Sequence, residues 1–138
     1  GAQRRFRQAA RIAQIYAGLV DQGVRHIAVI GALNDDASSE ALAPLFERTA
    51  LRDISEHPSF DWGPRKGTYK SGNEKDKIDY VLLSPALFAK ATGGGIFRKG
   101  VWRGDRTKDK WEVYGTLTAE QHGASDHAAI YADIDWSL

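Results

Sequence analysis

Apolar residues recur at three- and four-residue steps from Phe6 through Ala9, Ala13, Tyr16 and Val20, joined by Ile12, Ile15 and Leu19. That stripe predicts an amphipathic helix over about residues 3–22, with Gly23 as its stop. The run from His26 to Gly31 is nearly continuous in apolar residues and bounded by glycine, the pattern of a strand buried on both faces. A helix feeding such a strand points to α/β layering. Ser38 or Ser39 can cap a short helix through about Glu47, with Glu40 in its first turn. Residues 57–77 are rich in Pro, Gly, Lys and Asp and are expected as loop, with a short strand near Thr68-Tyr69. Ile78 to Leu83 predicts a second core strand. Ser84 and Pro85 predict the N-cap and first turn of a helix that the glycines at 93, 94 and 95 should end by Thr92. From Ala128 to Trp136 the pattern alternates, with Ile130, Ala132, Ile134 and Trp136 on one face and Tyr131, Asp133 and Asp135 on the other, as in a strand near a sheet edge.

A chain of 138 residues that is 42% hydrophobic and 27% charged has the composition of one soluble globular domain. Its formal net charge of +1 argues against both a nucleic-acid coat protein and a membrane-surface binder, so any polyanion site must be local. No apolar run approaches the roughly 18 residues of a membrane span. Without cysteine there is no disulfide, thiolate metal site or cysteine nucleophile, and His, Asp, Glu and Asn remain as candidate ligands. There is also no methionine, so Gly1 is not a translational start and a larger parent protein is expected. Between Arg98 and Trp111 six Lys or Arg stand against two Asp, with Trp102 and Trp111 among them. A phosphate-contacting loop with an aromatic platform is one reading. A solvated loop whose tryptophans pack on the body is the commoner outcome for such residues.

Three segments place polar groups where core strands begin or end: Gly31 to Asp35, Ile78 to Tyr80, and Ser125 to His127. Strand ends are where rigid sheets aim side chains at a common crevice. A buried Asp79 needs a partner, and the imidazole N–H of His127 is the obvious one; such a pair would fix the tautomer of His127 and stabilise its cation. Asp126 offers a hard oxygen for Mg²⁺. Taken singly, Asp79 reads equally as a structural hydrogen-bonder, and Asp126 with His127 as a polar turn before a strand.

Together and in this order, Gly31-Ala32-Leu33-Asn34, Ile78-Asp79-Tyr80 and Ser125-Asp126-His127, with Thr68-Tyr69 between the first two, resemble the C-terminal half of the endonuclease/exonuclease/phosphatase superfamily. In these DNase I-like, metal-dependent phosphoesterases one strand ends in Gly-Asp-x-Asn, a later one carries Ile-Asp-Tyr, and Ser-Asp-His opens the last core strand. The resemblance implies an α/β fold over residues 1–138. That fold would be the C-terminal half of a four-layered sandwich, with one mixed sheet carrying helices on one face. It implies that Asn34 donates to the scissile phosphate or orients the nucleophile. Asp79 would orient His127, His127 would contact the phosphate, and Asp126 would ligate Mg²⁺ or Mn²⁺. The substrate would bear a phosphate, with nucleic acid, nucleotides, and inositol or lipid phosphates all within the class.

Two departures shape the expectation. Ala32 stands where the family has the aspartate that activates or positions water, and a methyl group cannot accept a proton. Asp35 and Asp36 lie three or four residues further on and are not expected to replace it. The half of the fold that would supply an Asn and a Glu for the metal is also absent from the sequence. The chain is therefore expected to be inactive alone and to bind metal weakly if at all. Its bare sheet face is expected to meet either an N-terminal half of the same fold or a second copy in a homodimer. The alternative function is a noncatalytic binding or assembly module that retains the fold.

Overall fold

The computed structural model describes residues 1–104 and 110–138. The amphipathic stripe folds as α1 (Ala2–Asp21), which buries Ala9 and Tyr16. It packs on β1 (Ala28–Ala32), β4 (Asp79–Leu83) and β2 (Arg52–Asp53), an antiparallel sheet in the order β1-β4-β2. Ser39 caps the turn Glu40–Leu42 by accepting from the Ala41 N–H, and α2 (Ala43–Phe46) continues it. Tyr80 and Leu82 of β4 face this helical side with Ile27, Leu42, Leu45 and Leu51, and the half-buried Val29 and Leu33 complete the cluster. All five β4 residues are buried, because the strand is central and covered on both faces.

β1 departs from the sequence expectation of a strand buried on both faces. It pairs only with β4, and Ile30 on the face away from α1 is 68% exposed. A continuous apolar run satisfies that pattern only when a neighbour covers the second face.

The second difference lies at the glycines. The helix expected to run to about Thr92 is a single turn, α3 (Pro85–Phe88), and Gly93, Gly94 and Gly95 sit inside a seven-residue strand, β5 (Ala91–Phe97). β5 pairs parallel with β3 (Phe60–Asp61) and antiparallel with β6 (Ala129–Ile134), forming a second sheet in the order β3-β5-β6. The expectation of one mixed sheet with helices on one face is thus corrected to two three-stranded sheets. Val81 and Leu83, on the face of β4 expected to be bare, pack with Ile54, Phe60, Leu87, Phe88 and Ala91, and Ile130, Ala132 and Ile134 of β6 close over them. On the β1 part of that face Ile30 stays exposed. α3 contributes Leu87 and Phe88 to this cluster, opposite α1 rather than beside it. Ser84 precedes α3 but does not cap it. Its hydroxyl accepts from the Ile27 N–H at 2.9 Å and donates to the Arg25 carbonyl at 2.7 Å, fastening the start of β1. β6 lies at the edge of its sheet, as the alternation predicted.

Tyr80 ties this core to the loop after β1: its hydroxyl donates to the Asp35 carbonyl at 2.7 Å, with the Lys77 carbonyl at 3.0 Å. Burial, reinforced by the carboxylates of Asp53, Asp36, Asp35 and Asp79, pushes its pKa well above the ordinary 10.0. The folded state therefore holds a proton that the unfolded chain releases near pH 10. The stability this group supports is complete below that pH and falls by about 1.4 kcal/mol per pH unit above it. Lys77 is held below its ordinary 10.5 mainly by burial, against the opposing pull of Asp53, so its share of stability rises toward pH 10.5 and then levels off. Urea denaturation of Tyr80→Phe between pH 10 and 12 should show an alkaline slope shallower by about one proton. An unchanged slope would mean that Tyr80 ionises in the folded state.

Candidate active site

The site begins at Thr68. Its backbone is clamped on two sides, the N–H donating to the Asp76 carbonyl at 3.0 Å and the carbonyl accepting from the Ala128 N–H at 2.7 Å. Lys70 continues the pairing, donating to the Asp126 carbonyl at 2.9 Å, and Tyr69 bridges His127. The segment expected as a short strand near Thr68-Tyr69 is thus an isolated bridge laid against Asp126–Ala128. The buried Thr68 hydroxyl accepts from the Ile78 and Asp79 N–H groups at 3.1 and 3.2 Å and donates to Asp79 Oδ2 at 2.7 Å.

Asp79 is buried at the first position of β4, and both its oxygens lie 3.0 Å from Nδ1 of His127. An ionised carboxylate only accepts, so Nδ1 of His127 carries the proton and Nε2 is left on the outer side of the ring. Tyr69 packs against that ring at 4.9 Å between centroids. Asp126 is largely exposed, with Oδ1 at 4.0 Å from His127 Nε2. Ala32 pairs in register with Asp79 across the β1–β4 ladder, so its Cβ stands on the same face as the Asp79 carboxylate. A carboxylate at position 32 would therefore lie beside the Asp79–His127 pair.

Ala32, Asp79, Asp126 and His127 are thus brought to one end of the sheets. Asn34 follows β1 in a left-handed backbone conformation, φ 59°, and among the described hydrogen bonds it has none with Asp79, Asp126 or His127. Together with Ala32 it lines a cavity of about 420 Å³ against Arg5, Ile12 and Leu45, whereas Asp126 lines a different one. Asp35 and Asp36 are committed elsewhere. Asp35 pairs with Arg5 at 3.2 Å and accepts from Ser39 at 2.9 Å, and Asp36 accepts from the Ser38 N–H and hydroxyl. Neither lies free beside the Asp79–His127 pair.

Two supports escaped the sequence reading. Arg98, grouped with the basic stretch, is buried and donates to the carbonyls of Trp62, Arg65 and Gly67, holding the loop that delivers Thr68. Burial pulls its pKa down, against the pull of Asp61. Lys77 pairs with the buried Asp53 at 3.2 Å and donates to the Asp79 carbonyl at 2.7 Å, fixing the start of β4. No local pattern marks either as interior, because Arg98 and the Lys77–Asp53 ion pair depend on partners more than 20 residues away. Of the tryptophans in the basic stretch, Trp111 is buried with its indole N–H on the Val101 carbonyl, the commoner outcome, and Trp102 is half-buried. The middle of that stretch, residues 105–109, lies outside the described residues.

No protein-family model matches the sequence, and no curated protein does. Solved structures do. An endonuclease/exonuclease/phosphatase family protein from Bacteroides thetaiotaomicron aligns with TM-score 0.60 and 17% identity, over 70% of this chain and 36% of its own. The fold is that of the endonuclease/exonuclease/phosphatase, DNase I-like proteins. A mannosyl-6-phosphatase from the same organism aligns equally well, with TM-score 0.60 and 17% identity over 70% of this chain and 37% of its own. The chain therefore spans about a third of the length of these DNase I-like structures.

Proposed function

We propose that this chain is the C-terminal half of a metal-dependent phosphoesterase and that it is catalytically silent as it stands. The observation that carries the reading is the chain of hydrogen bonds from the buried Thr68 and Asp79 to the half-buried His127, across the ladder from Ala32. In this reading His127, oriented by Asp79, contacts the phosphate through Nε2 and stabilises its growing charge, and Asn34 donates to the phosphate or the nucleophile. A cation, Mg²⁺ or Mn²⁺, would supply charge at the nonbridging oxygens. Asp126 suits such an ion in part. It is one hard carboxylate, and among the described residues no group of three acidic or histidine side chains gathers round it. The remaining ligands would come from outside this chain. The exposed face of β1 at Ile30 and the open edges of β1 and β6 would receive that second contributor, an N-terminal half of the same fold or a second copy. Phosphodiesters are one substrate class, and the mannosyl-6-phosphatase neighbour makes sugar phosphomonoesters the other. Ala32 by itself favours a second reading, a noncatalytic binding or assembly module.

One reconstitution separates them. Hydrolysis of bis-p-nitrophenyl phosphate with Mn²⁺ should be absent from the chain alone and from Ala32→Asp alone. It should appear when Ala32→Asp is joined to an N-terminal half of the fold. Adding His127→Ala to that assembly should lower the rate by about 10²-fold or more. Turnover by the unaltered chain, or an assembly indifferent to His127, would sink the proposal.

A further inference from the structure

The hydrogen bonds of β1 show which of its backbone groups are left over. The Leu33 N–H donates to the Ile78 carbonyl at 2.9 Å and the Ser84 N–H to the Ile27 carbonyl at 2.8 Å, which extends the β1–β4 register by one pair at each end. In an antiparallel ladder the bonds alternate, so Ile27, Val29, Gly31 and Leu33 face β4 and the N–H and C=O groups of Ala28, Ile30 and Ala32 point outward. Among the described residues no group of the fold takes up these outward bonds. All three residues are exposed, and Ile30 at 68% is the most exposed large apolar residue described. We propose that this edge pairs with the same edge of a second copy, antiparallel about a two-fold axis at Ile30. Of the two contributors named above this selects the second copy, and it stands independently of the phosphoesterase reading.

Three observations favour this occupant. Sheet edges are ordinarily kept single by shortness, charge, proline or a bulge. The edges at β2 and β3 are two residues long, and β6 carries Asp133 within the strand and Asp135 just beyond it. β1 consists of Ala, Val, Ile and Gly, and its register with β4 runs without a shift. Second, the outward groups are symmetric about Ile30. With the axis there, Ile30 exchanges both bonds with its counterpart and Ala28 with Ala32 of the other copy, whereas any shift leaves some of these groups unpaired. The two Ile30 side chains then lie side by side on the same face and cover one another. Third, the flanks match in charge. Arg25 precedes β1 and Asp35 and Asp36 follow it, so an antiparallel copy sets the basic end of each strand against the acidic end of the other. A parallel copy would bring like charges together. The same symmetry carries the start of the second copy's β1 to the Ala32 end of the first, so each Asp79–His127 pair gains a neighbouring Arg25 from outside its own chain.

A pairing this short buries less than the roughly 1,200 Å² of a standard interface, so association should be reversible, with a Kd of about 10–100 µM. Sedimentation equilibrium in EDTA, over about 5–500 µM chain, should show the mass rising toward twice that of one copy. Ile30→Lys changes a side chain that is exposed in the single chain and should weaken association about tenfold or more. Ala129→Lys, at the first position of β6, should leave it within about twofold. Cross-linking fixes the register, because the chain has no cysteine of its own and residues opposed in a bonded pair stand about 5.5 Å apart at Cα, within disulfide reach. Under mild oxidation Ile30→Cys should link to itself. Ala28→Cys mixed with Ala32→Cys should link about tenfold more than either alone. A chain that stays monomeric at the highest concentration would overturn the proposal and leave the edge to an N-terminal half. Equal linking of Ala28→Cys with itself, or equal weakening by Ala129→Lys and Ile30→Lys, would overturn it too. No substrate or metal enters these measurements, so their failure leaves the phosphoesterase reading standing, and failure of the reconstitution leaves the dimer standing.

Discussion

Gly94→Ala is expected to lower the stability of the chain by about 3 kcal/mol or more, the upper range for overpacking a well-ordered interior. A Cβ at position 94 would stand 2.3 Å from the Tyr131 carbonyl oxygen, 3.1 Å from an Ile54 side-chain carbon and 3.2 Å from the Ala132 Cα. Two of these contacts are backbone of the paired strand β6, so no rotamer change relieves them. The strands would have to separate, and the cover that β6 gives Val81 and Leu83 would separate with them. Urea midpoints measure the effect, and Gly18→Ala supplies the contrast. That glycine lies inside α1 with nothing within 4 Å of the added carbon. Its replacement should stabilise the chain by up to about 1 kcal/mol. Equal shifts in the two variants would show that β5 and β6 are not packed this closely.

Thr68→Val should cost about 2–4 kcal/mol and loosen the Asp79–His127 pair at the same time. Valine keeps the shape and removes the hydroxyl. It leaves the Ile78 and Asp79 N–H groups without that acceptor and Asp79 Oδ2 without the 2.7 Å donor. Thr68→Ser retains the hydroxyl and should recover most of the loss, at under about 1.5 kcal/mol. Imidazole ¹⁵N shifts of His127 provide the local readout: a proton fixed on Nδ1 in the unaltered chain and in Thr68→Ser, and averaged tautomers in Thr68→Val. If valine is tolerated in both stability and shifts, Thr68 does not position Asp79.

The long-period elements are legible in the amino-acid order because their signals are local. The stripe from Phe6 to Val20 can bury one face only as a helix, and α1 begins and ends within one residue of the span it predicts. The alternation from Ile130 to Ile134 has a single edge-strand solution, and β6 adopts it. The hydrogen bond between Asp79 and His127 is legible for a different reason. A carboxylate interrupting an apolar strand must find a donor, and His127 stands in the polar segment two residues before β6.

The rest follows from packing. Three consecutive glycines have no side chain through which to express a preference, and locally they read as the end of a helix. They form a strand because β3 and β6 approach too closely for any Cβ at positions 94 and 95. That one arrangement creates the second sheet, covers Val81 and Leu83, and leaves Ile30 exposed on an edge strand. Arg98 gives up water for three carbonyls that lie at least 31 residues away in the chain, so nothing near it in sequence marks it as interior. Hydrophobic period and isolated polar interruptions are properties of neighbours along the chain, so whatever depends on them can be read from the amino acids alone. Which face is covered, how closely strands approach and where a buried cation finds acceptors are properties of neighbours in space, and these arise only once the chain has folded.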